Sequence, residues 1–169
     1  MDNIKSPLES KIEDFRLPRF SELPNMGLYL EQVTKYINGY ITSLGCPEIT
    51  SSMISNYVKK GVIASPVKKQ YYNEQIAYLF FISLAKSVLT MESILKLFEI
   101  QKKLYPPDIC YDYFCSEFEN MLLFVFGYKD KVDSIGNINS EEKSVLRNAI
   151  TAVTNIIYID NYFKKTDKI

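Results

Sequence analysis

The stretch that decides the fold runs from Thr50 to Ile63 and reads TSSMISNYVKKGVI. Thr50 is a typical helix N-cap residue, because its hydroxyl can accept a hydrogen bond from a backbone N–H of the first turn. Gly61 can adopt the left-handed conformation in which many helices end. The pattern therefore predicts a short helix from Thr50 to Lys60, and its serine, asparagine and lysine side chains give that helix a polar face.

The residues after this helix predict a small wing. Residues 62–71 read VIASPVKKQY, a β-compatible segment that Pro66 interrupts. From Thr50 to Tyr72 the chain has four lysines and no acidic residue. Lysine, hydroxyl and amide groups are those that contact phosphates and base edges in DNA. The residues predicted to contact DNA are Ser51, Ser52, Ser55, Asn56, Tyr57, Lys59 and Lys60 on the helix, and Lys68, Lys69 and Tyr71 in the wing. For Tyr57 the alternative is a core position with its hydroxyl at the rim.

Apolar residues at three- and four-residue spacing predict further helices on both sides of this segment. One precedes it, from Leu28 to about Ser43. Four follow it: Asn73 to about Ser87, a helix that Thr90 opens, Asp108 to about Phe126, and a long last helix that Ser140 caps. Lys164, Lys165 and Lys168 lie near the end of the last helix, where the helix dipole favours positive charge.

The first 24 residues predict an extended arm, because Pro7, Pro18 and Pro24 interrupt regular helix. Phe15, Leu17 and Phe20 are expected to hold this arm on the body of the protein. For Arg16 and Arg19 we favour salt bridges to the body over the alternative, an arm that reaches into a DNA groove.

The order of motifs from Ile49 to Leu97 resembles the MerR family. In that family a recognition helix ends in an aromatic residue, basic residues and a glycine, the wing closes with a basic-x-Tyr step, and a later helix begins with Ser/Thr-Leu-Glu-x-Ile. The matching segments here are Tyr57–Gly61, Lys69–Tyr71 and Thr90–Ile94. The resemblance implies a winged helix-turn-helix that binds DNA, although Ser55 and Asn56 stand where that family has an arginine and an aromatic residue.

Three other segments extend a second resemblance over most of the chain. Together with the segments above, RLPRF at residues 16–20, Leu28-Tyr29 and NYVK at residues 56–59 are similar to a bacterial family called domain of unknown function eighteen-thirty-six. This resemblance implies helix-turn-helix architecture and no assigned activity. We therefore expect an all-α fold in three parts: an arm (1–27), a MerR-like winged helix-turn-helix (28–103) and a helical C-terminal bundle for dimerisation or sensing (104–169).

The composition limits where the protein acts and what it binds. Lysine plus arginine and aspartate plus glutamate both number 20, so DNA must bind to a local patch and not to a global positive field. The longest apolar stretches are shorter than a membrane span, and the N-terminus lacks a signal pattern. These features predict a cytoplasmic protein with no membrane partner.

An enzyme is not predicted. The chain has no histidine and three cysteines, which suits reduced thiols (Cys46, Cys110 and Cys115) and no zinc site. The pairs Glu117/Glu119 and Glu141/Glu142 are interpreted as surface charge. We therefore predict no catalytic residue, no metal and no cofactor. The aromatic C-terminal half favours core or interface over a ligand pocket. A small-molecule effector, or an enzyme that handles small molecules, is an alternative that rests on the aromatic content alone.

The last helix has apolar residues on two sides, which indicates burial inside a bundle or between subunits. One row contains Leu146, Ile150, Val153 and Ile157, and the other contains Val145, Ala149, Ala152, Ile156, Ile159 and Phe163. A homodimer would suit this helix and a palindromic double-stranded DNA site. The sequence thus favours a DNA-binding transcriptional regulator, and the alternative is an adaptor that uses the helix-turn-helix surface for a protein partner.

Overall fold

A computed structural model describes residues 11–136 and 140–167. The first ten residues of the predicted arm and Lys168 lie outside this range. The described chain is mostly helical, as predicted. Its helices are α1 (Leu30–Ile41), α2 (Ser51–Lys59), α3 (Asn73–Ala85), α4 (Met91–Leu104), α5 (Pro107–Val125) and α6 (Glu141–Thr166), with two-residue strands β1 (Leu28–Tyr29) and β2 (Gln70–Tyr71) and 3-10 turns at Phe20–Glu22 and Thr42–Leu44.

Most of the predicted helix ends are confirmed at atomic level. The hydroxyls of Thr50, Thr90 and Ser140 accept hydrogen bonds from the backbone N–H groups of Met53, Ser93 and Lys143. Gly45, Gly61 and Gly127 all have positive φ just after a helical segment, as the sequence predicts for residues that end helices.

Two predicted helix starts are shifted. Leu28 and Tyr29 do not begin α1, because they pair as β1 with Tyr71 and Gln70 of the wing. At α3 the N-cap residue is Tyr72 and not Asn73. The backbone N–H of Tyr72 donates to Gln75 Oε1 (2.9 Å), so the side chain of the third helical residue satisfies this end of the helix.

The core is one continuous cluster that reaches from the arm to α6. Helix α3 lies at its centre and is buried from Gln75 to Ala85 except at Tyr78, as expected for a helix that is apolar on all sides. Helices α5 and α6 run parallel, because Glu117 contacts Arg147 and, further along both helices, Phe126 contacts Tyr158. The segment after Phe126 must therefore return along the pair before α6 begins.

The C-terminal helix also contacts the end of α1. Asn161 Nδ2 donates to the carbonyl of Leu44 (3.0 Å), and Lys164 Nζ donates to the carbonyl of Gly45 (2.6 Å). These bonds satisfy carbonyl groups in the turn that follows α1. Among the described residues, no helix has the length and apolar character to cross a membrane.

Candidate nucleic-acid interface

Five of the predicted DNA-contacting residues line one shallow groove at the protein surface. We define the α2 groove by Leu30 at the start of α1 and by α2 residues Ser51, Ser52, Ser55, Asn56 and Lys59. Ser52, Ser55, Asn56 and Lys59 are exposed, and the groove is open to solvent. The 3.6-residue period of the helix puts these side chains on one side while Ile54 points into the core.

Ser51 anchors the start of α2 on α1. Its hydroxyl donates to Glu31 Oε1 (2.8 Å) and lies 3.1 Å from Thr34 Oγ1. Asn38 strengthens the same junction, since its side chain bonds both the N–H and the carbonyl of Ile49 just before α2. The angle between α1 and α2 is therefore fixed by side-chain hydrogen bonds, and a carboxylate, Glu31, lies at the edge of the groove.

The two tyrosines predicted to contact DNA are in the core. Tyr57 is 5% exposed and Tyr71 is 4% exposed, and burial raises the pKa of both phenols. Their side chains are therefore not part of the surface formed by the other predicted residues. The reason is geometric: Tyr57 lies one turn after Ile54 on the inward side of α2, and Tyr71 lies on the inward side of β2.

The wing ends in a tight turn that carries two exposed lysines. The backbones of Val67 and Gln70 exchange two hydrogen bonds (3.0 and 2.9 Å), and Lys68 and Lys69 between them have φ of 50° and 66°. Positive φ at both central residues defines a type I′ hairpin turn, which normally takes Asn-Gly. A pair of lysines there strains the backbone, and such strain concentrates at functional sites. We call Val67–Gln70 the lysine turn.

Strand pairing brings the lysine turn beside the α2 groove. Tyr29 of β1 pairs with Gln70 of β2, and Leu30, the next residue, lines the groove. Lys59, Lys60, Lys68 and Lys69 are all exposed. Positions that are far apart in sequence are thus linked through β1. The α2 groove contains five of the ten predicted residues, and Lys60, Lys68 and Lys69 are exposed outside its lining.

Sequence reasoning missed the exposed apolar residues on this surface. Tyr29 (53% exposed) and Val67 (59%) flank Gln70, and Met26 and Tyr72 are exposed nearby. In Gln70-Tyr71-Tyr72 successive side chains of a strand alternate between its two sides, and this alternation was the sequence signal for exposed residues here. The middle residue, Tyr71, points inward. Without the partner strand, this short segment does not reveal which side faces solvent.

Arg19 of the arm binds the body, as the favoured interpretation predicted, whereas Arg16 pairs within the arm itself. Arg19 forms a two-bond salt bridge with Glu119 of α5 (2.7 and 2.6 Å), which raises the pKa of its guanidinium above the usual value. Arg16 pairs with Glu22 (2.9 Å). The arm itself packs on α5, where Phe15 meets Phe118 and Phe20 meets Tyr111 edge to face.

The interpretation of Glu117 and Glu119 as surface charge is wrong. Glu117 is fully buried and accepts hydrogen bonds from Arg147 (2.7 Å) and from the hydroxyl of Tyr113 (3.0 Å). Glu119 binds Arg19 and also accepts from the backbone N–H of Leu17 (2.8 Å). Each carboxylate has a cationic partner on another segment, which makes burial tolerable. We call these two residues the α5 carboxylates.

A separate apolar hollow lies between α4, α5 and α6. Its apolar and aromatic lining residues are Leu97, Ile100, Leu104, Tyr105, Ile109, Tyr113 and Leu146. The ammonium of Lys143 lies 5.4 Å from the ring centroid of Tyr113. Burial raises the pKa of the adjacent Cys110 thiol, which favours its protonated form. Within the described part of the chain, no cluster of three metal-ligating residues is present here or elsewhere.

Comparison with known proteins identifies the family of this chain. The model of a family described as a domain of unknown function (DUF1836) matches residues 18–114. This match covers more than half of the 169 residues, so the chain belongs to that family. Searches of curated proteins and of solved structures found no match. The matched range includes the last ten residues of the arm (18–27), the α2 groove, the lysine turn and the first part of α5.

Proposed function

We propose that this family member is a cytoplasmic, DNA-binding transcriptional regulator with a MerR-like winged helix-turn-helix. The observation that carries the proposal is the surface on which the α2 groove adjoins the lysine turn. In this proposal α2 lies in the major groove, where Ser52, Ser55 and Asn56 offer hydroxyl and amide groups to base edges. The four lysines bind phosphates.

The element order supports the same proposal. In the described chain β1 is followed by α1 and α2. The wing comes next, and its strand β2 pairs with β1; α3 and α4 follow. Strain at Lys68 and Lys69 adds support, because a turn selected only for folding would have used Asn-Gly. Glycine, and at times asparagine or aspartate, adopt φ near 60° routinely, whereas lysine does not.

The proposed regulator is a homodimer formed through α6. Leu146, Ile150, Val153 and Ile157 face the core, whereas Val145, Ala152, Ile159 and Phe163 are exposed. The exposed row recurs at seven-residue steps from Val145 to Ile159, which is the spacing of a helix-pairing seam. Acidic residues in the first turn and lysines in the last turn favour an antiparallel pair, in which each helix end meets the opposite charge.

A mobility-shift titration against the DNA upstream of the protein's own gene, at low and moderate salt, tests duplex binding. We expect a specific shift that Lys59→Glu/Lys60→Glu abolishes. The matched control is Lys102→Glu/Lys103→Glu, an exposed lysine pair near the end of α4, which should leave the shift intact. Each lost phosphate contact should also reduce the slope of log affinity against log salt by about 0.9. Absence of a shift at every salt concentration would refute duplex binding by the protein alone.

Sedimentation equilibrium tests the dimer. Ile159→Glu/Phe163→Glu should produce a folded monomer, since two charges would face the partner helix without compensation. Val67→Glu, at an exposed apolar position in the wing, should remain dimeric. A monomeric wild-type protein at micromolar concentration would contradict this part of the proposal and leave duplex binding to be judged separately.

A second candidate function is a protein adaptor that uses the α2 groove. Glu31 favours it, because a carboxylate hydrogen-bonded to Ser51 at the edge of the groove repels DNA phosphates. In this case Glu31→Gln would weaken binding of a basic partner chain. If the protein instead binds DNA, Glu31→Gln should tighten the mobility shift by removing that repulsion, so one variant separates the two candidates.

A further inference from the structure

The small sheet presents an outward face that duplex recognition by α2 does not use. Tyr29 pairs with Gln70, and Gln70 also pairs with Val67, so these three side chains point to the same side of the sheet. The hydroxyl of Tyr72 lies 3.4 Å from Gln70 Oε1, which brings Tyr72 to that side as well. We call Tyr29, Val67, Gln70 and Tyr72 the sheet face.

Two details of the backbone bring these side chains close together. Both backbone groups of Gln70 bond to Val67, so the Tyr29–Gln70 pair is of the non-hydrogen-bonded kind, in which side chains approach most closely. Gly27 has no side chain, and a Cβ built there would lie 2.6 Å from Gln70 Cβ. The absence of that atom leaves room for the side chain of Gln70.

We infer that the sheet face is a stacking platform for unpaired bases of single-stranded nucleic acid. Exposed aromatic rings next to cationic groups are the features that bind single strands, because every base has a π-face and every nucleotide has a phosphate. Here Tyr29 and Tyr72 supply the rings, and the adjacent Lys68 and Lys69 supply the charge. This site goes beyond the proposed function, since it does not require that α2 bind a duplex.

The chemistry of the face favours a single strand over the other occupants. The bases of a duplex are stacked on one another and do not expose their faces to the two rings, whereas an unpaired base offers a flat apolar surface of matching size. A protein segment would also cover the rings, but it would not need two lysines in strained backbone positions at the edge. Glu31 and Glu74 lie on the helices that follow each strand and limit the positive charge to the lysine turn.

The absence of tryptophan from the chain permits a direct test by fluorescence. Tyr29→Trp introduces a single reporter on the face, and Tyr105→Trp introduces a matched reporter at another exposed tyrosine. Titration of the full-length variants with a 12-nucleotide oligothymidylate should quench the Tyr29→Trp reporter in a saturable way and leave the Tyr105→Trp reporter unchanged. The same strand annealed to its complement should quench much less.

Affinity measurements on a second pair of variants separate stacking from hydrogen bonding. Tyr29→Phe/Tyr72→Phe keeps both rings and should bind the oligothymidylate within about twofold of wild type, whereas Tyr29→Ser/Tyr72→Ser should bind at least tenfold more weakly, as expected when two stacking rings are removed. Circular dichroism melting curves confirm that each variant is folded. Tyr29→Ser/Tyr72→Ser leaves the α2 groove and all four lysines in place and should retain the duplex mobility shift, so a failure of stacking is distinguishable from a failure of duplex recognition.

Three results would overturn the inference. The first is no quenching of the Tyr29→Trp reporter, which would leave the face to a protein partner. The second is equal quenching by single strand and duplex. The third is equal loss of affinity in the phenylalanine and serine variants, which would mean that the hydroxyl groups, and not the rings, make the contact.

Discussion

The region of α2 and the lysine turn uses charged residues differently from the α5 carboxylates. Glu117 and Glu119 each have an arginine partner from a distant segment, and Glu117 is fully buried while Glu119 is half-buried. Lys59, Lys60, Lys68 and Lys69 are exposed on a segment without acidic residues. Charge near α5 therefore supports folding, whereas the charge on α2 and the wing is available to a partner. Substitutions in the two regions should therefore affect different measurements.

Loss of Glu117 should have the largest effect. Glu117→Ala removes the acceptor of Arg147 and Tyr113 inside the core, and breaking one side of a buried pair costs about 3 kcal/mol of unfolding free energy. Urea denaturation followed by circular dichroism measures this loss. Glu141→Ala, at an exposed position, serves as control and should change stability by less than about 1 kcal/mol. Similar losses of unfolding free energy in the two variants would contradict a special stabilising role for Glu117.

Gly27→Ala should show the next largest effect, and it should be local to the wing. The new Cβ would meet Gln70 Cβ at 2.6 Å, so the sheet must shift, at a cost of about 2 kcal/mol. Gly39→Ala is the matched control, because nothing lies within 4 Å of a Cβ there and alanine favours a helix interior by about 1 kcal/mol. Thermal unfolding should therefore shift in opposite directions for the two variants.

Arg19→Ala tests the contact between the arm and α5. Its side chain is partly exposed, so removing its two bonds to Glu119 should cost about 1–2 kcal/mol, which is less than for Glu117→Ala. Arg16→Ala should leave stability unchanged within error, because solvent screens its pair with Glu22. If the Arg19→Ala variant stayed folded but gave a weaker mobility shift, the alternative of an arm that reaches into a DNA groove would gain support.

The lysine turn should show the smallest stability effect, and one of opposite sign. Lys68→Asn/Lys69→Gly supplies the residues that a type I′ turn prefers and should stabilise the fold by about 1 kcal/mol. The same variant should bind DNA more weakly, because two cations are lost. The unfolding free energy and the DNA affinity of this variant should both be measured on one preparation. A variant that is both less stable and unchanged in binding would contradict the assignment of strain to function.

The sequence alone could predict helices, their ends and the polar face of α2. Periodicity and capping depend on residues only a few positions apart, so Thr50, Thr90, Ser140 and Gly61 could be placed without tertiary information. The same local rules found the lysines of the wing. The three-residue step from Ile54 to Tyr57 indicates the inward side of α2, so burial of Tyr57 was open to prediction. The side on which Tyr71 lies depends on its partner strand, which local rules do not supply.

Only the tertiary structure decided which distant residues meet. From the sequence Glu117 is interpreted as a surface residue, but Arg147 lies opposite it in the folded protein. The sequence also predicts that Leu28 and Tyr29 begin a helix, but they pair with the wing as a strand. The sheet face and the junction of the lysine turn with the α2 groove have the same origin. Propensity and periodicity act within a few residues of the chain, whereas strand register and the burial of charge depend on contacts between segments far apart in sequence.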